Sequence, residues 1–141
     1  MRHVSLITLG VSEVEASARF YEALGWQRSS ASVDGVVAFM TGDGPMVLSL
    51  FGRDDLSAEA AVPAASGVAA KVALAANLPT AADVDRALAD ARNAGGTVTS
   101  PARHADWGGY SGYFSDPDGH LWEVAYNPGF ALTAQGTVSL P

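Results

Sequence analysis

A repeated order of helix and strand signals most constrains the fold of this chain of 141 residues. In the first half, an apolar strand candidate at residues 4–9 precedes an amphipathic helix that ends at Gly25. Three more strand candidates follow, at residues 26–33, 36–41 and 46–51. The first half therefore predicts one β-α-β-β-β module.

Two local signals place the joints of this module. Ser12 and Glu15 fit a capping box, so we expect Ser12 to be the N-cap of the helix. Asp34-Gly35 is typical of a two-residue hairpin turn between paired strands.

The second half repeats the same order of elements. Thr80 and Asp83 predict a helix N-terminus after a strand at 72–77, and Gly95 predicts its end. Each predicted sheet needs a second sheet to cover its inner face, and two facing sheets would leave a cup suited to a small molecule. The three remaining strand candidates of this half are residues 97–99, 109–115 and 121–126.

These signals predict an α+β fold in a single domain, residues 1–141. Within it we expect a first module at 4–52, an Ala-rich linker at 53–70, a second module at 71–127 and an irregular tail at 128–141.

Composition excludes several partners and locations. The formal net charge of -7 and the pI near 4.6 argue against nucleic acid and against an anionic membrane as partners. The absence of cysteine excludes disulfides, thiolate nucleophiles and cysteine-based zinc sites. No apolar run is long enough to cross a bilayer, and the N-terminal residues run directly into a strand candidate. We therefore expect no signal peptide and a cytoplasmic location.

One carboxylate stands in an unusual setting near the end of the second module. The segment Asp116-Pro117-Asp118-Gly119 is typical of a tight turn, since Pro presets φ and Gly tolerates positive φ. Glu123 follows inside the next strand candidate, between Trp122 and Val124. A charge placed there needs a partner, a metal or water, so Glu123 is the leading candidate for a functional residue.

The chain resembles the vicinal oxygen chelate superfamily, which includes glyoxalase I, extradiol dioxygenases, fosfomycin-resistance enzymes and bleomycin-binding proteins. This resemblance spans roughly residues 4–128 and implies the glyoxalase/bleomycin-resistance/dioxygenase fold, in which two tandem βαβββ modules form a curved mixed sheet cup. The segments that carry the resemblance are Leu6–Val11, Ala18–Tyr21, Leu24-Gly25, Asp116–His120 and Glu123.

The resemblance also implies where a divalent metal would bind. Superfamily enzymes use about four ligands, usually His and Glu, from the first and last strands of each module. Glu123 occupies such a position four residues after Gly119, and the same offset from Gly44 leads to Leu48.

The two first-strand positions are aliphatic as well. The family histidine position falls on Leu6, and its counterpart in the second module falls near Leu74 or Ala76. A lone carboxylate is a poor site for a catalytic divalent metal, so we expect no metal site and disfavour a divalent metal cofactor.

The three histidines do not complete the set. By strand alternation His3 points away from Leu6, and His120 belongs to a turn that solvent can reach. His104 lies in a predicted loop with Arg103 and Asp106, where the three form a polar rim of the cup, a proton-handling group or simply a solvated loop.

The alternation of side chains along strands predicts the residues that face the cup. Ser111 and Tyr113 match cup-facing positions of the fosfomycin-enzyme version of the fold, and Trp107 shares their parity. Trp107 could instead belong to the core or to a dimer contact. The predicted ligand-binding residues are Leu6, Phe39, Leu48, Leu74, Arg103, Trp107, Ser111, Tyr113 and Glu123.

Three functions follow from this pattern. The favoured hypothesis is metal-independent binding of a small hydrophobic or aromatic molecule, as in drug-sequestering antibiotic-resistance proteins. The second is a glyoxalase- or dioxygenase-like lyase or isomerase, with a degenerate metal site or with Glu123 as the catalytic general base. The third is a non-catalytic dimeric scaffold. The resemblance implies a homodimer in each case.

Overall fold

A computed structural model describes residues 6–59, 73–106, 108–134 and 136–139. The chain divides into two compact units, residues 1–69 and 70–141. No helix in the described part of the chain is long and apolar enough to cross a membrane.

The first unit builds a mixed four-stranded sheet with the order β1-β4-β3-β2. Strands β1 and β4 run parallel, and the other neighbours are antiparallel. Its elements, in chain order, are β1 (Leu6–Val11), α1 (Val14–Ala23), β2 (Gln27–Arg28), β3 (Val37–Thr41), β4 (Val47–Gly52) and α2 (Arg53–Glu59).

The second unit repeats this topology with the order β5-β8-β7-β6, and β5 runs parallel to β8. The two mixed sheets with their helices make the α+β fold that the sequence predicted. The elements of the second unit are β5 (Ala73–Asn77), α3 (Ala81–Asn93), β6 (Thr97–His104), β7 (Tyr110–Ser115) and β8 (Leu121–Tyr126), followed by β9 (Ala131–Leu132) and β10 (Val138–Ser139).

The predicted end of α1 is confirmed and its predicted start is wrong. After α1 the backbone enters positive φ at Gly25, and Trp26 N–H donates to the carbonyl of Tyr21, which is the Schellman pattern. At the other end, Glu13 rather than Ser12 is the N-cap, and its side chain makes no capping bond.

The start of α3 follows the prediction. Thr80 is its N-cap, and the hydroxyl oxygen of Thr80 accepts a hydrogen bond from the backbone N–H of Asp83. Both ends are therefore defined locally, because Gly95 with positive φ closes the helix as Gly25 closes α1.

The strand predicted at residues 26–33 is much shorter than expected. Only Gln27–Arg28 forms a strand beside β3; beyond it the backbone contacts β3 only at Ser29 and through the isolated bridge of Val33 with Val37, because serine side chains bind part of the backbone in place of the ladder. The Ser29 hydroxyl accepts from the N–H of Ala31, and the Ser32 hydroxyl accepts from the N–H of Phe39.

A salt bridge holds this irregular segment to α1. Arg28 donates to Glu15 at 2.9 Å and to Glu22 at 3.0 Å, and Glu15 also accepts from the N–H of Gly35 at 3.3 Å. The hydrogen bond from Arg28 is the main cause that lowers the pKa of Glu15. The turn around Gly35 is closed by a Val33–Val37 pair, one residue longer than the two-residue turn predicted.

The strand predicted at residues 97–99 is longer than expected and reaches His104. The strand contains Pro101, which cannot donate a hydrogen bond to the ladder. It is accommodated because β6 is an edge strand and its pairing with β7 contains two register shifts.

Two further boundaries differ from the sequence prediction. Residues 53–59 of the predicted linker form α2, while residues 60–72 lie outside the described part of the chain. The tail is not wholly irregular, since β9 and β10 pair as a short antiparallel hairpin.

In each unit a helix covers one face of the sheet. Buried residues of α1 pack against β3 and β4, and α3 packs against β6, β7 and β8. The core side chains of the described residues include Val11, Ala18, Tyr21, Met40, Leu48 and Leu50 in the first unit, and Val84, Leu88, Ala91, Phe114, Trp122 and Val124 in the second.

Candidate functional site

The turn between β7 and β8 sets the position of Glu123. Asp116 is 3% exposed, and its carboxylate accepts hydrogen bonds from the N–H groups of Asp118 and His120 at 3.0 and 2.8 Å. Gly119 takes positive φ, so the turn has the geometry predicted from the sequence. The buried carboxylate of Asp116 thus serves the turn, and Glu123 lies in the following strand.

Glu123 is partnered by Tyr113 on the neighbouring strand. The two residues are directly opposite in the β7–β8 ladder, and both side chains are half-buried. A hydrogen bond to Glu123 is the largest cause that raises the pKa of the Tyr113 phenol, followed by burial. The interaction with Tyr113 offsets part of the free energy that is lost when a carboxylate is half-buried in this strand.

The Glu123 side of the sheet is opposite to the side covered by α3. A Cβ atom at Gly112 would lie 2.7 Å from the Leu88 side chain of α3, so Gly112 faces the helix. Side chains alternate along β7, so Ser111 and Tyr113 point to the other face. We call this surface the Glu123 face, which consists of Ala75, Arg103, Ser111, Tyr113, Glu123 and Ala125.

Arg103 joins this face because of the two irregularities in β6. Thr97 pairs with Ser115 at one end of the strand, whereas Arg103 pairs with Ser111 at the other. β6 therefore contains two residues more than the paired part of β7. Each extra residue reverses the alternation of side chains, so after both of them Arg103 lies on the same face as Ser111. The positive charge of Arg103 acts on Tyr113 and opposes the rise in its pKa.

A cavity of about 460 Å³ lies beside Arg103. It is lined by Arg103, His104, Ala105 and Asp106. The His104 ring contacts the ring of Tyr110, with centroids 4.9 Å apart. His104 is the last residue of strand β6 and does not lie in the loop that the sequence predicted.

Two predicted lining residues, Leu74 and Leu48, lie on the opposite face of their sheet from Ala75 and Ser49 respectively. Leu74 pairs with Trp122 in the β5–β8 ladder and so shares the face that α3 covers. Leu48 is 2% exposed and belongs to the core of the first unit. Glu123 pairs with Ala75 on β5. The equivalent pair in the first unit is Ser49 with Thr8 on β1.

Leu6 and Phe39 are on the corresponding face of the first unit. Phe39 pairs with Ser49, and Leu6 lies two residues before Thr8 on the same side of β1. Leu6 is 40% exposed, so it belongs to the surface of that unit. Trp107, like His3, lies outside the described residues.

The donor atoms do not fit the metal that the resemblance implies. The middle positions of the first and last strands are Thr8 and Ser49 in one unit and Ala75 and Glu123 in the other. Neither pair contains a histidine or more than one carboxylate, so neither unit offers at these positions the set of His and carboxylate ligands that a catalytic divalent ion takes. Within residues 6–59, 73–106, 108–134 and 136–139, no three His, Asp or Glu side chains are grouped so as to hold a metal.

Comparison with known proteins gives concordant results. The family described as "Glyoxalase/Bleomycin resistance protein/Dioxygenase superfamily" matches residues 3–124. A glyoxalase-related enzyme from Fulvimarina pelagi has a similar structure, with 33% identity, 99% of both chains covered and a TM-score of 0.87. A glyoxalase/bleomycin resistance protein/dioxygenase from Nocardioides has 26% identity and a TM-score of 0.72, covering 89% of this chain and 83% of that one.

A more distant similarity concerns the fold alone. The hypothetical protein SA1046 from S. aureus shares 21% identity and a TM-score of 0.77, covering 90% of this chain and 94% of that one. No curated protein matches the sequence. Since the family match covers most of the chain, the protein belongs to the Glyoxalase/Bleomycin resistance protein/Dioxygenase superfamily.

Proposed function

We propose that the protein binds a small organic molecule at the Glu123 face without using a metal ion. The observation that carries the proposal is the cross-strand pair of Tyr113 and Glu123, which lie directly opposite each other and are both half-buried on the face that α3 leaves open. Its neighbour Ala75 has only a methyl group, so a ligand can approach the carboxylate from that side.

The chemistry of the pair suits recognition of an aromatic ligand with a polar group. The Tyr113 ring offers a flat apolar surface for stacking. An ionised carboxylate can accept several hydrogen bonds, and the phenol of Tyr113 uses part of that capacity. Glu123 can therefore also accept a hydrogen bond from a ligand. Sequestration of a drug, as in the antibiotic-resistance members of the superfamily, is one physiological use of such a site.

The test compares two tyrosines on opposite faces of β7. Binding of single-ring aromatic fragments is measured by NMR titration and by Tm in buffer with a chelator. Saturation at ~100 times Kd stabilises a protein by about 2.7 kcal/mol. We expect Glu123→Gln and Tyr113→Phe to weaken binding. Tyr110→Phe, which removes a hydroxyl that donates to Asp85 on the other face, should leave binding unchanged.

Two results would overturn this proposal. One is a stoichiometric divalent ion in protein purified without chelator, together with loss of ligand binding when the ion is removed. The other is equal affinity in the wild type, Glu123→Gln and Tyr113→Phe for every fragment that binds.

General-base catalysis is a second candidate, and the same pair favours it. A carboxylate hydrogen-bonded to a phenol can take a proton from a bound carbonyl compound and return it. Exchange of such a ligand's α-protons into D₂O, followed by NMR, should be accelerated by the wild type and not by Glu123→Gln. Equal exchange in both proteins would leave binding as the function.

The homodimer that the resemblance implies is also a proposal. A dimer could act as a scaffold even without a ligand. Light scattering measures the mass in solution, where a monomer has 14.5 kDa. A mass of one chain across the concentration range would rule out the dimer.

A further inference from the structure

Arg103 and Glu123 place opposite charges at two ends of the Glu123 face. The β6–β7 register puts Arg103 opposite Ser111, and the β7–β8 register puts Glu123 opposite Tyr113. The two charged residues are thus two strands apart and one same-face step apart along the strand. With strands about 4.8 Å apart and about 6.8 Å between same-face residues, their Cα atoms are roughly 12 Å apart.

Among the salt bridges of the described residues, none joins Arg103 to Glu123, so the two charges do not neutralise each other directly. Among the described residues Arg103 makes no salt bridge, whereas Arg28, Arg53 and Arg86 each pair with an acidic residue. The guanidinium of Arg103 is near enough to the phenol of Tyr113 to oppose the rise in its pKa. Arg103 is exposed and borders the cavity of about 460 Å³.

The charge of the whole chain gives Arg103 a specific role. With 15 acidic and 8 basic residues, the protein as a whole repels anions. An anionic ligand group therefore needs a local cation, and Asp106 on the same cavity adds to the repulsion that Arg103 must overcome. A guanidinium binds carboxylates through two parallel hydrogen bonds.

We infer that the ligand is a bipolar molecule, with an anionic group bound by Arg103 and a cationic or hydrogen-donating group bound by Glu123. A flat apolar centre of about one ring would lie over Tyr113 between the two ends. This inference rests on the proposed function and deepens it, because it names the chemical class of the ligand.

Four single-ring probes separate the contributions of the two ends. They are 4-(aminomethyl)benzoate with both charges, benzoate with the anion, benzylamine with the cation and benzyl alcohol with neither. Affinities are measured by NMR titration at constant ionic strength. We expect 4-(aminomethyl)benzoate to bind about tenfold or more tightly than either singly charged probe, because charge-assisted hydrogen bonds are the strong ones.

Two charge-removing variants assign the ends. Arg103→Gln should weaken the binding of 4-(aminomethyl)benzoate and of benzoate about tenfold and leave the binding of benzylamine unchanged. Glu123→Gln should weaken the binding of benzylamine about tenfold and leave the binding of benzoate unchanged. Arg92→Gln is the matched control, because Arg92 is an exposed arginine in the last turn of α3. Circular dichroism confirms that each variant is folded.

The outcomes distinguish this inference from the proposed function. If benzyl alcohol binds as tightly as 4-(aminomethyl)benzoate, or if Arg103→Gln changes no affinity, the bipolar ligand is refuted while small-molecule binding stands. If none of the four probes binds, the bipolar ligand is refuted; if probes bind but neither Glu123→Gln nor Tyr113→Phe weakens any of them, binding at the Glu123 face is refuted as well.

Discussion

Replacement of Gly112 by alanine should destabilise the protein, because the new methyl group would meet backbone. Its Cβ would lie 2.7 Å from Cδ1 of Leu88, 2.9 Å from the nitrogen of Ala102 and 3.0 Å from the Cα of Ala102. Leucine can change rotamer, but the backbone of Ala102 belongs to the bulged part of β6 and can move only if the ladder moves. Forcing extra carbon into a packed region costs about 1–3 kcal/mol, and the backbone contacts place Gly112→Ala in the upper part of that range.

The assay is chemical denaturation, with thermal unfolding as a second measure. A loss of about 2–3 kcal/mol corresponds to a fall in Tm of roughly 6–9 °C for a chain of this size. Gly44→Ala is the matched control, because no atom lies within 4 Å of its Cβ position. That control should be neutral or stabilising by up to about 1 kcal/mol. If Gly112→Ala is as stable as Gly44→Ala, the close approach of β6 to β7 is wrong.

Three further predictions concern the helices. Ser17→Ala should stabilise the protein by about 1 kcal/mol, because the buried Ser17 hydroxyl has no hydrogen-bond partner among the described residues; Ala16→Ser at an exposed site of α1 corrects for helix propensity, and denaturation showing a loss would mean that the hydroxyl is satisfied. Thr80→Ala should cost about 1 kcal/mol of unfolding free energy and Glu13→Ala should cost almost nothing, because only the first removes a side-chain cap; equal losses would contradict this. Because the folded-state pKa of Glu15 lies below 4.5, its contribution is present above pH 4.5 and is lost as pH falls through the lowered pKa. Glu15→Gln should therefore reduce Tm at pH 7 and match the wild type at strongly acid pH, whereas a constant difference across a pH titration would refute the linkage.

The sequence predicted the fold well because its signals are local. Gly25, Gly95, Thr80 and the Asp116 turn each act through hydrogen bonds to neighbouring residues, so their effect is legible without the tertiary structure. The prediction of a strand at 26–33 was wrong because of another local effect: serine side chains in this segment form hydrogen bonds with the backbone and compete with the ladder.

The positions expected to line the site depend on strand register, which local sequence signals do not set. Counting four residues from Gly44, as Glu123 lies four residues from Gly119, leads to Leu48. Both turns contain five residues, but Gly44 is the third of its turn and Gly119 is the fourth. This difference of one residue moved the prediction from Ser49 to Leu48 and so to the opposite face.

Leu74 is likewise one residue away from the position that pairs with Glu123, which is Ala75. Ser111 and Tyr113 share the face of Glu123 because β7 and β8 pair without irregularity. Simple alternation along the sequence does not predict the face of Arg103, because two extra residues in β6 shift the register of this strand twice.

The irregular edge formed by β6 has a consequence for the solubility of the protein. A regular edge strand offers a row of unpaired N–H and C=O groups on which a strand of another chain can add, and such additions can grow into fibrils. In β6, Pro101 removes one donor and the two bulges break the even spacing that an added strand would need. The same departures that bring Arg103 to the Glu123 face thus protect this edge against aggregation, and a variant that regularised β6 would lose both properties together.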